Sequence, residues 1–137
     1  MRRALLTCCA AVLASGLAAC GADYPDLFVL TRSGSLPGAK LTLLVNDGGT
    51  VSCNGGAPRQ LPDQLLLDAR DIETSLQEEA HDDLVLPASA RSLLRYRLRA
   101  EEGTVTFSDT DAATRPELGK LVAFTRTVAQ DVCGLAR

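Results

Sequence analysis

KLTLLVNDGGTVSC, residues 40–53, decides how this chain is read. Two apolar-rich arms, residues 40–45 and 50–53, flank Asn46-Asp47-Gly48-Gly49, a turn-forming run between alternating side chains and hence a strong short-range hairpin signal. Register follows from the faces. A three-residue loop, Asp47-Gly48-Gly49, sets Val45 opposite Val51 and Leu43 opposite Cys53, whereas a two-residue loop would set Leu44 against Val51. The first choice collects Leu43, Val45, Val51 and Cys53 on one face and leaves a glycine for the left-handed position of the bulge, so it is the expected one.

Upstream, Phe28-Val29-Leu30-Thr31-Arg32 reads as a preceding strand, ended by the turn-rich Ser33-Gly34-Ser35-Leu36-Pro37-Gly38. Downstream, Asn54-Gly55-Gly56-Ala57-Pro58 is a loop, and Pro62 suits the first turn of a helix in which Leu65, Ala69, Ile72 and Leu76 recur at helical spacing. The opposite face carries Asp63, Asp68, Asp71 and Glu73, with Glu78 and Glu79 at its end, as a solvated face does.

A second hairpin is expected beyond a proline-containing link. Leu94, Tyr96, Leu98 and Ala100 alternate with Arg95, Arg97 and Arg99, and a two-residue turn at Glu102-Gly103 would set Leu98 opposite Phe107 and Ala100 opposite Val105. The three arginines then share the wet face with Thr104, Thr106 and Ser108. A closing helix starts at a capping box of Thr114 and Glu117 with Pro116 in its first turn, carries the stripe Leu118, Leu121, Thr125, Val128 and Val132, and stops near Gly134. The sum is α+β in the order β-β-β-α-β-β-α, an antiparallel sheet of about five strands with two helices packed on one face.

The N-terminus carries an address. Met1-Arg2-Arg3 is a short basic region, residues 4–14 are apolar but for Thr7, and Leu17-Ala18-Ala19-Cys20 resembles the lipobox of bacterial lipoproteins. The apolar run is shorter than the roughly 20 residues a membrane span needs, and Gly21-Ala22-Asp23 ends it at once. The resemblance implies a signal peptide over residues 1–19, cleavage before Cys20, two acyl chains on that thiol, a lipidated stem over residues 20–26, and one α+β domain over residues 27–137. It places the mature protein on the cell membrane, lipid-anchored on the extracytoplasmic side.

Of the five cysteines, Cys8 and Cys9 would leave with the leader and Cys20 would take the lipid. Cys53 and Cys133 remain, an even pair in an oxidising compartment, for which a disulfide is the expectation and two buried thiols the alternative. The bridge would close a loop of about 80 residues and contribute up to roughly 4 kcal/mol on the chain-entropy account.

Composition narrows the function. An apolar fraction of 46% with 23% charged residues is that of a folded domain. The net charge of −3, or −5 once Arg2 and Arg3 are removed, speaks against nucleic acid and against electrostatic attachment to an anionic bilayer. Reactive groups are sparse. His81-Asp82-Asp83 has ligand-type side chains, but three neighbours in a linker do not converge on a metal, and no nucleophile elbow or H-E-x-x-H occurs. The reading is a non-enzyme without cofactor or metal. The arginine stripe suits a carboxylate or phosphate, although solubilising an exposed sheet is the commoner use of such residues.

Thr31-Arg32-Ser33-Gly34, the hairpin, a helix opened by Leu61-Pro62, a Tyr-x-Leu strand leading through a turn to Thr104-Val105-Thr106-Phe107-Ser108-Asp109, and a closing helix together resemble the emfourins, small bacterial inhibitors of thermolysin-type zinc proteases. The likeness spans roughly residues 28–132. It implies inhibition by loops laid into a protease cleft, with Arg32, Ser33, Gly34 and Ser35 as the partner-binding loop; emfourins usually carry a second glycine where Ser35 stands. The resulting expectation is a lipid-anchored extracytoplasmic binding protein that inhibits a secreted metalloprotease. The alternative is a non-inhibitory envelope lipoprotein that binds another protein or has a structural role.

Overall fold

The hairpin of residues 40–53 sits inside a six-stranded antiparallel sheet. The computed structural model describes residues 24–135; the leader, the lipobox and Cys20 lie outside the described residues. Strands β1 (Asp26–Gly34), β2 (Leu41–Asn46), β3 (Thr50–Cys53), β4 (Arg59–Gln60), β5 (Leu94–Arg99) and β6 (Thr104–Ser108) lie in the order β4-β3-β2-β1-β5-β6. β2 and β3 pair Val45 with Val51 and Leu43 with Cys53, the register that the face argument selects. Gly49 closes the turn at φ 87°, where a residue with a Cβ would be strained.

Two details of the sheet go beyond the expectation. It has six strands rather than about five, because Asn54 (φ 52°) and Gly55 (φ 73°) reverse the chain so that Arg59 and Gln60 pair with Val51 and Thr50. Two residues are too few to show a period. The second hairpin pairs Leu98 with Val105 and Tyr96 with Phe107, two residues away from the expected register, because its loop is four residues closed by the Ala100 N–H donating to the Gly103 carbonyl at 2.9 Å. A slip of two leaves every side chain on its face, so the arginines still oppose Ser108, Thr106 and Thr104. Beyond β6, Val85 makes a parallel bridge to Thr106 and covers part of that edge.

Alternation decides where the core lies. Phe28, Leu30, Leu41, Leu43, Val45, Val51, Tyr96, Leu98, Val105 and Phe107 point to one side and are buried. On that side pack α1 (Asp63–Ser75) and α4 (Pro116–Thr127), through Ala69, Ile72, Leu118, Leu121 and Phe124. Each large side chain so buried is worth about 1.5–3 kcal/mol of transfer free energy. Phe28 and Phe124 meet edge-on with ring centres 6.0 Å apart, joining sheet to helix. The short helices α2 (Gln77–His81) and α3 (Asp109–Ala112) follow α1 and β6 respectively.

The helix termini differ in detail from expectation. Pro62 is the N-cap of α1 rather than a first-turn residue. The capping box forms at Ser108 and Asp111, one helix earlier than at Thr114 and Glu117: α3 intervenes, and the Thr114 hydroxyl donates to the Asp111 carbonyl at 3.1 Å. Thr125, the polar member of the stripe, is fully buried with its hydroxyl donating to the Leu121 carbonyl at 2.7 Å.

The end of α4 carries the largest departure from simple periodicity. It passes into a π-helical turn, Val128–Val132, in which the Cys133 N–H reaches the Val128 carbonyl at 2.9 Å. Strict α spacing puts Val132 on the buried stripe after Val128. The wider turn puts Cys133 there instead, buried and bonded to Cys53, with the two Cα atoms 6.0 Å apart across 80 residues of sequence.

Candidate functional site

The residues assigned by resemblance to a partner-binding loop divide between strand and loop. β1 runs on through Arg32, Ser33 and Gly34, which pair with Tyr96, Arg95 and Leu94; Ser35 alone of the four lies beyond the strand. Gly34 is required there. Its φ is 152°, and a Cβ at this position would collide with the Leu93 carbonyl oxygen of the neighbouring strand's approach. The close passage lets the Ser35 N–H donate to the same oxygen at 3.1 Å.

Arg32 does not project with the loop. Its parity turns the side chain to the helical side of the sheet, where Nε donates to the Ala39 carbonyl at 2.9 Å and Nη2 to the Gly38 carbonyl at 3.1 Å. The guanidinium thereby holds the far end of the loop against its near end. A turn in which the Ala39 N–H bonds the Leu36 carbonyl at 3.0 Å closes the tip, and Ser35, Leu36 and Pro37 stand exposed on it. An apolar side chain, Leu36, thus sits on a loop fastened from below.

Behind the loop, between the start of β5 and the outer side of α4, lies a groove of about 320 Å³ lined by Arg32, Leu94, Tyr96, Val122, Arg126, Ala129 and Gln130. Val122 and Arg126 are one helical turn apart and share a face, while Ala129 and Gln130 come from the π-helical turn. Tyr96 forms the floor, its ring stacked on Phe107 at 5.1 Å. Burial raises the Tyr96 phenol above its ordinary range; the Arg32 guanidinium opposes that rise, Asp109 adds to it, and Arg126 opposes it again. The hydroxyl is accordingly neutral and able to donate at physiological pH. The ion pairs among the described residues are Arg70 with Asp47 at 2.7 Å and Lys120 with Asp71 at 3.0 Å, so neither groove arginine is held by a carboxylate.

The other residues singled out in the sequence do not converge. Arg97 and Arg99 are exposed on the open sheet face, and Arg95 beside them is half-buried with Nη1 lacking a hydrogen-bond partner. His81 ends α2 in solvent, whereas Asp83 turns back to accept from the Thr104 N–H at 2.9 Å and its hydroxyl at 3.1 Å. Among the described residues no group of three or more histidine, cysteine or acidic side chains is placed to hold a metal ion.

Sequence reasoning missed two features. One is a chain of hydroxyls, in which Ser108 Oγ donates to Asp111 at 2.7 Å and lies 2.8 Å from Thr110 Oγ1, itself 3.0 Å from Ser92 Oγ and 3.2 Å from Ser89 Oγ. The S-x-x-D spacing of Ser108 and Asp111 was the readable signal for its first link. The other is the groove itself, whose walls come from segments about 90 residues apart and leave no local pattern. Comparison with known protein families, with curated proteins and with solved structures finds no match to this chain.

Proposed function

We propose that the protein is an extracytoplasmic binding module, held to the membrane through a lipid on Cys20, that inhibits a thermolysin-like metalloprotease by inserting its loop at Arg32–Gly38. The observation carrying this reading is the fastened loop: Ser35, Leu36 and Pro37 are exposed while Arg32 and the Leu93 carbonyl fix the chain on either side. A loop already in its bound shape loses little conformational freedom on docking, and that is how rigid inhibitors reach high affinity from a small contact. Gly34 lets the loop pass close to the Leu93 carbonyl without a side chain in the way. The Cys53–Cys133 bridge fits an oxidising compartment, and the absence of a long apolar helix among the described residues fits attachment by lipid.

With residues 1–20 replaced by a soluble tag, the purified domain should slow hydrolysis by a thermolysin-like protease at near-stoichiometric amounts. Unaltered hydrolysis across a panel of such enzymes would overturn the inhibitor reading. Anchoring is tested separately: Cys20→Ser should abolish metabolic fatty-acid labelling and release the protein from the membrane fraction, and continued labelling would refute it.

A further inference from the structure

The groove behind the loop combines two things that a protein surface rarely leaves together. Two guanidinium groups, Arg32 and Arg126, stand over it without a carboxylate partner among the described residues, and apart from Gln130 its walls are apolar: Leu94, Val122, Ala129 and the ring of Tyr96. Uncompensated cations beside buried apolar surface favour an anion that brings its own hydrocarbon. We propose that this groove binds a carboxylate carried on a short apolar body, with Arg32 and Arg126 taking the carboxylate and Leu94, Val122 and Ala129 covering the hydrocarbon.

Three observations choose the ligand class. Arg32 spends Nε and one N–H of Nη2 on the loop carbonyls and a further N–H on the Tyr96 hydroxyl, which fixes its plane and leaves two of a guanidinium's five N–H groups for a ligand. A fixed fork suits a planar carboxylate, which two such groups and the neutral Tyr96 hydroxyl can satisfy. A phosphate would turn further charged oxygens toward Leu94, Val122 and Ala129, where nothing donates to them. A volume of 320 Å³ is at the low end for ligand sites and equals about ten waters at roughly 30 Å³ each, room for a molecule of about that many heavy atoms. The π-helical turn contributes Ala129, which keeps the wall low, and Gln130, whose amide gives the open end a polar rim.

The same chemistry has two sources, a free small acid and the C-terminal carboxylate of a polypeptide with an apolar last residue. The site stands whether or not the loop inhibits a protease, so the two readings fail separately. Calorimetric titration of the full chain in detergent with N-acetyl-leucine should show saturable binding that N-acetyl-leucine amide and inorganic phosphate do not show. Arg126 is exposed on α4, so Arg126→Gln should fold normally and bind the acid roughly tenfold or more weakly. Affinity for acetyl-Ala-Ala-Leu well above that for N-acetyl-leucine would assign the site to polypeptide C-termini, and equal affinity to free acids. Equal binding of acid and amide, tighter binding of phosphate, undiminished binding by Arg126→Gln, or no binding of either acid would overturn the proposal.

Discussion

Gly34 and Glu73 show how much can hang on one position. At Gly34 a methyl group would press on the Leu93 carbonyl and force an L-residue into a φ of 152°. Gly34→Ala should therefore lower stability by about 1–3 kcal/mol in urea denaturation, against a change within about 0.5 kcal/mol for Ser33→Ala on the exposed side. Equal effects would show that the close passage is not maintained. Glu73 titrates above its ordinary value of 4.5 because of partial burial, then Glu102, with Asp47 and Glu101 adding and the Thr74 hydroxyl opposing. An acid raised in the folded state lowers stability wherever it is ionised, fully above its folded value and not at all below the ordinary one. Glu73→Gln should thus raise the unfolding free energy from urea denaturation at about pH 7 by no more than ~0.5 kcal/mol and leave it unchanged near pH 3.5. A gain of the same size at both pH values would place the cause elsewhere. Neither position announces itself in the sequence, since both effects come from groups far along the chain.

Among the elements, those with several periods were legible and the short ones were not. The first hairpin was read to its register because Val45, Val51, Leu43 and Cys53 had to share a face, and the structure pairs them so. In the second hairpin the faces were right and the register was two residues off: alternation cannot distinguish slips of two, and the four-residue loop was settled by packing. Strand β4 and helix α3, of two and four residues, gave no period at all. The closing helix shows the converse, a clear period that the fold interrupts. Because a π-helical turn is an α-helix with one residue inserted, deleting Gln130 should restore α spacing and keep Cys133 on the buried stripe. Peptide mapping without reductant should still find Cys53 joined to Cys133 in that variant. Free thiols there would mean the turn serves some need other than the register of Cys133.

Across the described molecule, one sheet face is closed by α1 and α4, the other is open and carries Arg97 and Arg99 beside half-buried Val29 and Leu44, and the bridge ties the third strand to the end of the π-helical turn. Replacing Cys53 and Cys133 with alanine removes a constraint over 80 residues of separation, and the expected loss is about 2–5 kcal/mol. Urea denaturation of oxidised wild type against the double variant measures it, and a difference under about 0.5 kcal/mol would show that the packed sheet and helices hold the ends together unaided.

By itself the sequence determined the α+β class, the inward and outward faces of the four hairpin strands and the two long helices, and it made a Cys53–Cys133 bridge the expected pairing. These follow from local periodicity, turn chemistry and cysteine count, all of which act over a few residues or by elimination. Only the tertiary structure decided that Arg32 turns under its loop, that Cys133 replaces Val132 on the stripe, and that Arg32, Tyr96 and Arg126 enclose a groove. Those outcomes depend on which carbonyls, rings and charges meet across the fold, and contacts between segments so far apart in sequence leave no periodic trace in either.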